Sequence, residues 1–421
     1  MTSFWRIFSL ELLSVVRSKT LAMLLVASVA WMFAAPFVFR GDGTSEGARE
    51  LVVHYSLGGV VALLVVALTM SAAGAIAGER AGRRLQLTMV RPVRYCVIAL
   101  GKIAAYLATA AIVLAVAGAI ALVRDGASRP CRHVHRPVMP SPREEAEAIY
   151  AEYMRDPETP EAVRRAKKSV VIRMLAQRAI DNYQTIPTND CARWTFRGVD
   201  SGSVDAPSVR FRFTNMFEMR DDLRGELAFG GWRASVSNIT QAVLEVPLAH
   251  SETDAAVTNE LVFANAGRRS VMVRPRRDLE FLTPADAFGW NLLRALVEGL
   301  ALISLAVSFA IFLSAGLGRP TALFTVLVVL LLSEMTPSVI EQYPDELETN
   351  RVDAIGLALT RFAAEVTHPL SSLQPLADLS TDTCVEPRDV ARVAAFDLVL
   401  LPVLFSLLAA FVMPRKQESG E

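Results

Sequence analysis

The chain contains six long apolar stretches that are separated by polar segments. Each is long enough to cross a membrane as a helix: residues 21–39 alone would span about 28 Å, against a hydrocarbon thickness of about 30 Å. The six stretches cover residues 21–39, 57–77, 103–123, 292–317, 321–340 and 393–413. The pattern therefore predicts a mainly α, polytopic membrane protein with six transmembrane helices.

The apolar pattern is interrupted by one segment of domain size, residues 124–287, between the third and fourth predicted spans. Its first half carries a helix start at residues 141–144, where Ser141 is an N-cap followed by a Pro and then by a capping-box Glu. Its second half alternates apolar and charged residues, with a hairpin signal at Gly230-Gly231 and a turn at residues 265–267 before a return strand at residues 271–273. We predict an inserted α+β domain with a small antiparallel sheet or sandwich.

Two shorter segments flank the spans. Residues 1–20 place Phe4, Phe8 and Val15 at helical spacing, away from the basic residues of the segment. This pattern is typical of an elbow helix that lies in the membrane interface, although a continuation of the first span is the alternative. Residues 414–421 form a short charged tail after the sixth span.

Charge is distributed unevenly, although the net charge is zero. Residues 76–102 contain six basic residues and one acidic residue, whereas residues 341–389 contain ten acidic and three basic residues. Because Lys and Arg collect on the cytoplasmic side of a membrane, we predict that both termini and the link of residues 78–102 are cytoplasmic. The domain of residues 124–287 and the acidic loop of residues 341–389 are then extracytoplasmic, with the chain in the plasma (inner) membrane. The balanced net charge gives no electrostatic reason to expect nucleic-acid binding.

The link between the second and third spans carries a sequence pattern of its own. It contains, in order, Gly78-Glu79-Arg80, Leu87, Pro92 and Gly101-Lys102. This order resembles the first cytoplasmic loop of the permease subunits of type-2 ABC transporters, where a GER-like element precedes a Leu-rich stretch, a Pro and a GK at the start of the third helix. The match covers the link and the six spans, and two small residues replace the acidic residues that follow the Arg in the fuller family pattern.

The resemblance implies a permease subunit of an ATP-driven exporter, coupled to a separate ATPase subunit and paired with an identical or related permease. ATP would bind to the partner subunit, and this chain would bind no cofactor and would not itself be an enzyme. The link would form a coupling helix docked on the ATPase. The residues expected in this coupling loop are Gly78, Glu79, Arg80, Arg83, Arg84, Leu87, Pro92, Gly101 and Lys102. The alternative is that the arginines of the link only anchor it to anionic lipid.

Two kinds of site are disfavoured by the residues themselves. Gly101-Lys102 is followed by Ile103, so the Gly-Lys-Ser/Thr of a phosphate-binding P-loop is missing, and Lys102 is expected to extend from a helix start towards the interface. Cys131, His133 and His135 provide soft ligands at alternate positions, but no fourth ligand accompanies them. No nucleotide site and no metal site are predicted on this chain.

Ionisable residues in the later spans and three cysteines provide the remaining candidates. Charged residues inside membrane segments usually face the protein interior, which makes Glu334, Arg294 and Glu298 candidates for a substrate path. Arg294 and Glu298 lie four residues apart and could also pair with each other. Cys131 and Cys191 are the preferred disulfide in an oxidising compartment, with Cys384 as the alternative partner for either.

Two other functions stay open at this point. A membrane sensor or assembly protein would also need spans and an extracytoplasmic domain that binds a ligand or partner. An ion-coupled secondary transporter would be expected to contain inverted repeats and broken helices, neither of which is clear in this sequence. The pattern specifies neither the cargo nor the direction of transport.

The charge asymmetry predicts the outcome of a topology experiment. Single cysteines introduced as Ser201→Cys or Thr44→Cys, in a background without the native cysteines, should react with an impermeant thiol reagent in intact cells. Ser419→Cys should react only after the membrane is opened, because the tail is predicted to be cytoplasmic. Labelling of Ser419→Cys but not of Ser201→Cys in intact cells would reverse the orientation.

Overall fold

The computed structural model describes residues 2–39, 45–82, 93–125, 130–156, 159–160, 164–180, 182–202, 204–216, 220–241, 243–251, 257–329, 379 and 383–418. The chain divides into two compact units. The helical unit comprises Met1–Cys131, Asp286–Tyr343 and Thr349–Glu421, and the sheet unit centres on Arg132–Ala285.

The helices belong to both units and are numbered here in chain order. They are α1 (Thr2–Arg17), α2 (Thr20–Val38), α3 (Ser45–Ala75), α4 (Ala77–Ala81), α5 (Tyr95–Asp125), α6 (Pro142–Arg155), α7 (Lys168–Ile180), α8 (Pro275–Asp278), α9 (Phe288–Gly316), α10 (Arg319–Val329), α11 (Pro387–Val393) and α12 (Leu401–Glu418). A π-helix, Ala394–Leu400, lies between α11 and α12.

Among the described residues, five helical segments are long and apolar enough to cross a membrane. They are Thr20–Val38, Val53–Arg80, Tyr95–Arg124, Phe288–Gly316 and Pro387–Met413. The chain is therefore mainly helical and compatible with a multi-pass membrane protein. The predicted fifth span, residues 321–340, is described only as the shorter apolar helix Arg319–Val329, and its remainder lies outside the described residues, as does most of the acidic loop.

The third and last spans lie in helices that begin before the predicted spans. The third span, predicted as residues 103–123, lies in a helix that begins at Tyr95, and the last, predicted as residues 393–413, lies in one that begins at Pro387. The added residues 387–392 are largely polar, so hydropathy does not mark them although backbone hydrogen bonding continues through them. The added residues 95–100 are apolar, and the prediction assigns them to the link because it interprets Gly101-Lys102 as the helix start. As a result Lys102 lies almost two turns inside α5, and Asp397 lies ten residues inside the last span, counted from Pro387.

The helices α1 and α2 are separate, because the chain breaks at Lys19. This residue has φ 59°, in the left-handed region, and the preceding Ser18 Oγ donates to Val15 O at 2.9 Å. On α1, Val15 is buried, whereas Trp5 and Leu10 are 59% and 68% exposed. An exposed apolar face suits a helix in the membrane interface, the position predicted for residues 1–20.

The central helix of the helical unit is α9, which packs against α3, α5 and α12. Small residues allow close approach at its contacts: a Cβ added at Gly299 would lie 3.2 Å from Val61, and one added at Gly118 of α5 would lie 2.5 Å from Leu296. Helices in lipid associate through such close packing because the apolar solvent gives little hydrophobic driving force between them. The fourth span is therefore enclosed by its neighbours.

The described residues of the inserted region form three sheets. Its strands are β1 (Pro130–His135), β2 (Gln184–Ile186), β3 (Cys191–Thr195), β4 (Ser208–Arg212), β5 (Asp222–Phe229), β6 (Trp232–Ile239), β7 (Val243–Pro247), β8 (Ala249–His250), β9 (Glu260–Asn265), β10 (Val271–Val273) and β11 (Leu279–Ala287). The sheet orders are β1-β11-β4-β7, β10-β2 and β3-β9-β5-β6-β8. One hydrophobic core takes residues from all three sheets, including Phe211, Phe229, Phe263 and Phe281.

Two local predictions for this region are confirmed. Ser141 caps α6 in a capping box, with Glu144 N donating to Ser141 Oγ at 3.2 Å and Ser141 N donating to the Glu144 carboxylate at 2.8 Å. The backbone hydrogen bond from Ser141 lowers the pKa of Glu144. The Gly230-Gly231 turn joins β5 to β6 through the pair Phe229 and Trp232, and Gly230 has φ 57°.

The prediction of a return strand after residues 265–267 is wrong in its pairing. The strand β10 exists, but Val271 pairs with Ile186 of β2 and not with β9. The strand β9 lies between β3 and β5 in its sheet, so it has no free edge to accept another strand.

The turn after β9 depends on one buried side chain, Asn265. Its Nδ2 donates to Ile186 O at 3.2 Å, to Pro187 O at 3.1 Å and to Arg269 O at 2.9 Å. Its Oδ1 accepts from Gly267 N at 2.9 Å. The side chain thus joins the turn to the chain that follows β2.

We expect Asn265→Ala to destabilise the sheet unit by roughly 2–4 kcal/mol, because it leaves buried carbonyls and an N–H without partners. Thermal unfolding and limited proteolysis of the full-length protein would measure this loss. Arg268→Ala, at an exposed position of the same turn, should change stability by about 0.5 kcal/mol or less. An Asn265→Ala variant as stable as the wild type would show that the turn does not depend on this side chain.

Candidate functional site

The structure describes both ends of the link, residues 78–82 and 93–102. It therefore places five of the predicted coupling residues: Gly78, Glu79, Arg80, Gly101 and Lys102. The other four, Arg83, Arg84, Leu87 and Pro92, lie outside the described residues. The candidate site is built from the placed residues and from the helices that they contact.

Gly101 is the point where α1 lies against α5. A Cβ added at Gly101 would lie 2.8 Å from Ile7 Cγ2 and 3.1 Å from Ile7 Cβ. The Cβ of Ile7 is bonded directly to the backbone of α1, so it cannot move aside as the far end of a flexible side chain can. A glycine at this position therefore lets the two helices approach closely.

Lys102, the next residue, binds two carboxylates. Its Nζ lies 2.9 Å from Glu11 Oε2 on α1 and 2.8 Å from Glu79 Oε1 on α4. One turn further along α5, Tyr106 OH donates to Glu11 Oε1 at 3.2 Å. The Lys102 side chain is 4% exposed, against 18% for Glu11 and 31% for Glu79. The ammonium group is thus enclosed by its partners.

The expectation that Lys102 extends towards the membrane interface is therefore wrong. An extended lysine would leave its charged group in water, but this one begins inside the helix and is buried. An isolated ammonium in an apolar interior is strongly disfavoured unless opposite charges surround it. The two glutamates meet this requirement from segments 91 and 23 residues away in the chain.

Arg80 makes a second contact between the link and the spans. Its Nη1 donates to Ala315 O at 2.8 Å and its Nη2 donates to Leu317 O at 3.3 Å. These carbonyls belong to the last turn of α9 and its C-cap, where helix carbonyls lack partners within the helix. A guanidinium there also interacts favourably with the negative end of the helix dipole.

The five residues Glu11, Glu79, Arg80, Lys102 and Tyr106 are called the link network below. It joins α1, α4, α5 and α9, so the start of the link is fixed to α1 and to the long apolar helices α5 and α9. Gly78 differs from its neighbours: it is exposed, and a Cβ added there would meet no described atom within 4 Å. The GER-like element therefore turns its two charged side chains towards the protein.

Glu11 was not singled out in the sequence, although a signal for it exists. It lies at helical spacing from Phe8 and Val15, on the less exposed face of α1. An acidic residue within an apolar stripe of a helix needs a partner when that face is buried. The identity of the partner could not be read from spacing, because Lys102 lies on another helix.

The predicted substrate-path residues occupy different settings. Arg294 binds Asp286 Oδ2 at 2.6 Å and donates to Cys384 Sγ and Val385 O, each at 3.3 Å. These contacts hold the start of α9 against the chain before α11. Glu298 is half-buried on the same helix, and Glu334 lies outside the described residues.

All four cysteines are free thiols in the structure. Cys131 is buried and hydrogen-bonded to Cys384, and burial raises the pKa of the Cys131 thiol to about 12. Cys191 is exposed on β3. Of the two pairings that the sequence left open for Cys131, the structure brings together the one with Cys384. The preferred Cys131–Cys191 disulfide is not formed.

The histidines near Cys131 make ordinary polar contacts. His135 Nε2 lies 3.0 Å from Thr283 Oγ1, and burial, reinforced by the neighbouring His133, lowers the pKa of His135. Within the described ranges, no group of three His, Cys, Asp or Glu residues is placed to hold a metal ion.

A polar cavity of about 600 Å³ lies in the sheet unit. Four arginines line it, Arg220, Arg224, Arg268 and Arg269, together with the acidic Asp221 and Asp222. Arg269 Nη1 binds Asp221 Oδ2 at 2.9 Å, so part of this charge is neutralised within the cavity wall. The excess of arginine makes the cavity suited to an anionic group.

Comparison with protein-family models, with curated proteins and with solved structures finds no match to this chain. The family resemblance of the link thus stands on the residues of the link and on the spans around it. The link network is an independent, geometric property of the same segment.

We expect Lys102→Met to destabilise the helical unit by about 3–5 kcal/mol, because it leaves two carboxylates close together without their cation. Thermal unfolding of the full-length protein in detergent, with its level in the membrane, would measure this. The triple variant Lys102→Met with Glu11→Gln and Glu79→Gln should regain most of the loss, since no uncompensated charge is then buried.

Arg94→Gln is a matched control, because Arg94 is exposed at the far end of the link and its replacement should be nearly neutral. If Lys102→Met were as stable as this control, the ion pairs would not hold the helices together.

Proposed function

We propose that the chain is the membrane-spanning permease subunit of an ATP-driven ABC exporter of the type-2 family, coupled to a separate ATPase subunit. Two identical or related permeases would work with the ATPases in the plasma membrane. The link would lie on the cytoplasmic side and the sheet unit on the opposite side. This chain would carry the transport path, and the partner subunit would bind and hydrolyse ATP.

The observation that supports this proposal most strongly is the link network. A coupling element must pass a movement on to several spans together, and it can do so only if it is fixed to them. Glu79 binds Lys102 at 2.8 Å and Arg80 binds Ala315 O at 2.8 Å. A displacement of α4 would therefore also displace α5 and α9. Through the contact between Lys102 and Glu11 it would displace α1 as well.

The predicted coupling residues fall into two groups, those that make contacts within the chain and those that would contact the ATPase. Glu79, Arg80, Gly101 and Lys102 have partners within the chain and position the start of the link. Contact with the ATPase would then be made by the middle of the link, where the sequence places Arg83 and Arg84. The charged surface of an ATPase partner could be recognised there by electrostatic complementarity.

A second candidate is a membrane sensor or assembly protein, and the arginine-lined cavity of the sheet unit favours it. Such a cavity could bind an anionic ligand without any transport by the spans. This function predicts no ATPase partner at the link, so the experiment below separates it from the permease.

The proposal predicts that a P-loop ATPase is recovered with the tagged chain when it is purified from its native membrane. Arg83→Glu with Arg84→Glu should reduce this recovery and the linked ATP hydrolysis by about tenfold, equivalent to about 1.4 kcal/mol of binding. Thermal stability should stay unchanged. Glu79→Lys should instead lower thermal stability, because it places a second ammonium next to Lys102.

Arg94→Glu serves as the control for a change of charge at the edge of the link. The permease proposal fails if the wild type recovers no ATPase, or if the double reversal leaves both partner recovery and ATP hydrolysis at the wild-type level. If the reversal only weakens binding to anionic vesicles, the arginines are lipid anchors.

A further inference from the structure

The last span contains a break in its helical hydrogen bonding that originates at Pro402. Proline has no backbone N–H, so it cannot donate to the carbonyl of a residue in the preceding turn. Leu401 N donates to Phe396 O, five residues back, which is the pattern of the π-helix Ala394–Leu400. The carbonyl of Asp397 accepts instead from Ser304 Oγ of α9 at 2.7 Å.

The same π-helix buries its acidic residue and exposes two of its large apolar residues. Asp397 is 1% exposed, whereas Val399 and Leu400 are 61% and 53% exposed. Asp397 is the single buried residue of the segment. This arrangement suits a membrane segment whose outer face meets lipid, and it directs the carboxyl group into the helical unit.

Asp397 lies deep within the spans. It is ten residues from Pro387, about 15 Å along a helix, and its partner Ser304 is sixteen residues from the start of α9, about 24 Å. The hydrocarbon layer is about 30 Å thick, and α9 is centred near residue 302. The carboxyl group is therefore placed near the middle of the fourth span, far from either end.

No basic side chain of the described residues neutralises this carboxyl group. The π-helix packs against α9, α11 and α12. The charged residues of α9 are Arg294 and Glu298, and Arg294 is bound to Asp286. Both lie one to three turns before Ser304, the residue of α9 that contacts Asp397. Those of α11 are Arg388, Asp389 and Arg392, all exposed, and those of α12 follow Met413 at its far end.

One oxygen of the group, Asp397 Oδ1, is buried without a hydrogen-bond partner among the described residues. Ser308, one turn beyond Ser304 on α9, is fully buried, and its Oγ also lacks a partner there. An ionised carboxylate in such surroundings would be very costly. The group must therefore be protonated, or hold a cation, whenever this conformation is occupied.

We propose that Asp397 is a proton-binding site within the membrane, which takes up a proton when the spans enclose it and releases the proton when they open. The step is a single protonation of the carboxylate. Calcium or magnesium would require about six oxygen ligands or more, and the described part of the chain places no group of three His, Cys, Asp or Glu residues where they could hold a metal ion. The inference does not depend on the ATPase partner, because it concerns this chain alone.

A hydrophobic carbodiimide tests the site directly, because it reacts with protonated carboxyl groups in apolar surroundings. The full-length protein in lipid vesicles would be treated at several pH values, and the modified peptide quantified by mass spectrometry. We expect labelling at Asp397 to be about tenfold higher near pH 5 than near pH 9, well above the range where an ordinary Asp is protonated. Asp397→Asn should abolish it.

Asp389→Asn is the matched control, since Asp389 is exposed on α11 and should not affect labelling. The infrared difference spectrum between the two pH values provides a second measurement: the band of a protonated carboxyl should be present in the wild type and absent in Asp397→Asn. The proposal is overturned if labelling does not vary with pH, if sodium ions protect Asp397, or if both measurements fail to detect a protonated group.

Discussion

The helical unit depends on one constraint: a charge inside an apolar bundle must find opposite charge there. Lys102 lies almost two turns inside α5, and its side chain is only 4% exposed. The carboxylates of Glu11 and Glu79 neutralise the ammonium group, at 2.9 and 2.8 Å from Lys102 Nζ. These contacts require α1, α4 and α5 to meet at one place. Gly101 makes this meeting geometrically feasible, because a side chain there would overlap α1. The docking of α1 and the direction in which the link leaves α4 both follow from this one pair of contacts.

The link network also limits how the link can work. Two carboxylates face one ammonium group, so the cluster keeps an excess of negative charge that the Tyr106 hydroxyl partly satisfies. Arg80 is engaged with the C-terminal carbonyls of α9. Both charged residues of the GER-like element therefore have partners within the chain. Under the proposed function, their task is to position the start of the link.

Much of the architecture could be predicted, because local patterns determine it. Hydropathy located the described spans, and the Ser141 capping box and the Gly230-Gly231 hairpin needed only neighbouring residues. Apart from the misplaced helix starts, the errors arose where a distant residue decides the outcome. The partners of Lys102 are 91 and 23 residues away, and β10 pairs with β2, which lies more than 80 residues earlier in the chain. Spacing along the chain carries no information about such contacts. The candidate site could therefore be located at the link, but the contacts between its residues could not be predicted.

Lys102 and Asp397 show two different solutions to the same electrostatic problem. Lys102 is surrounded by permanent partners, and a charge held in this way is stable and structural. Asp397 has a partner for its backbone carbonyl, Ser304, but Oδ1 has none among the described residues. Selection for stability alone would favour an apolar residue or an amide at that position, since either removes the cost of a buried carboxyl group. A carboxyl group differs from both because it can gain and lose a proton. Its place in a π-helix, where the backbone is already interrupted by Pro402, also allows the surroundings to change without breaking a regular helix.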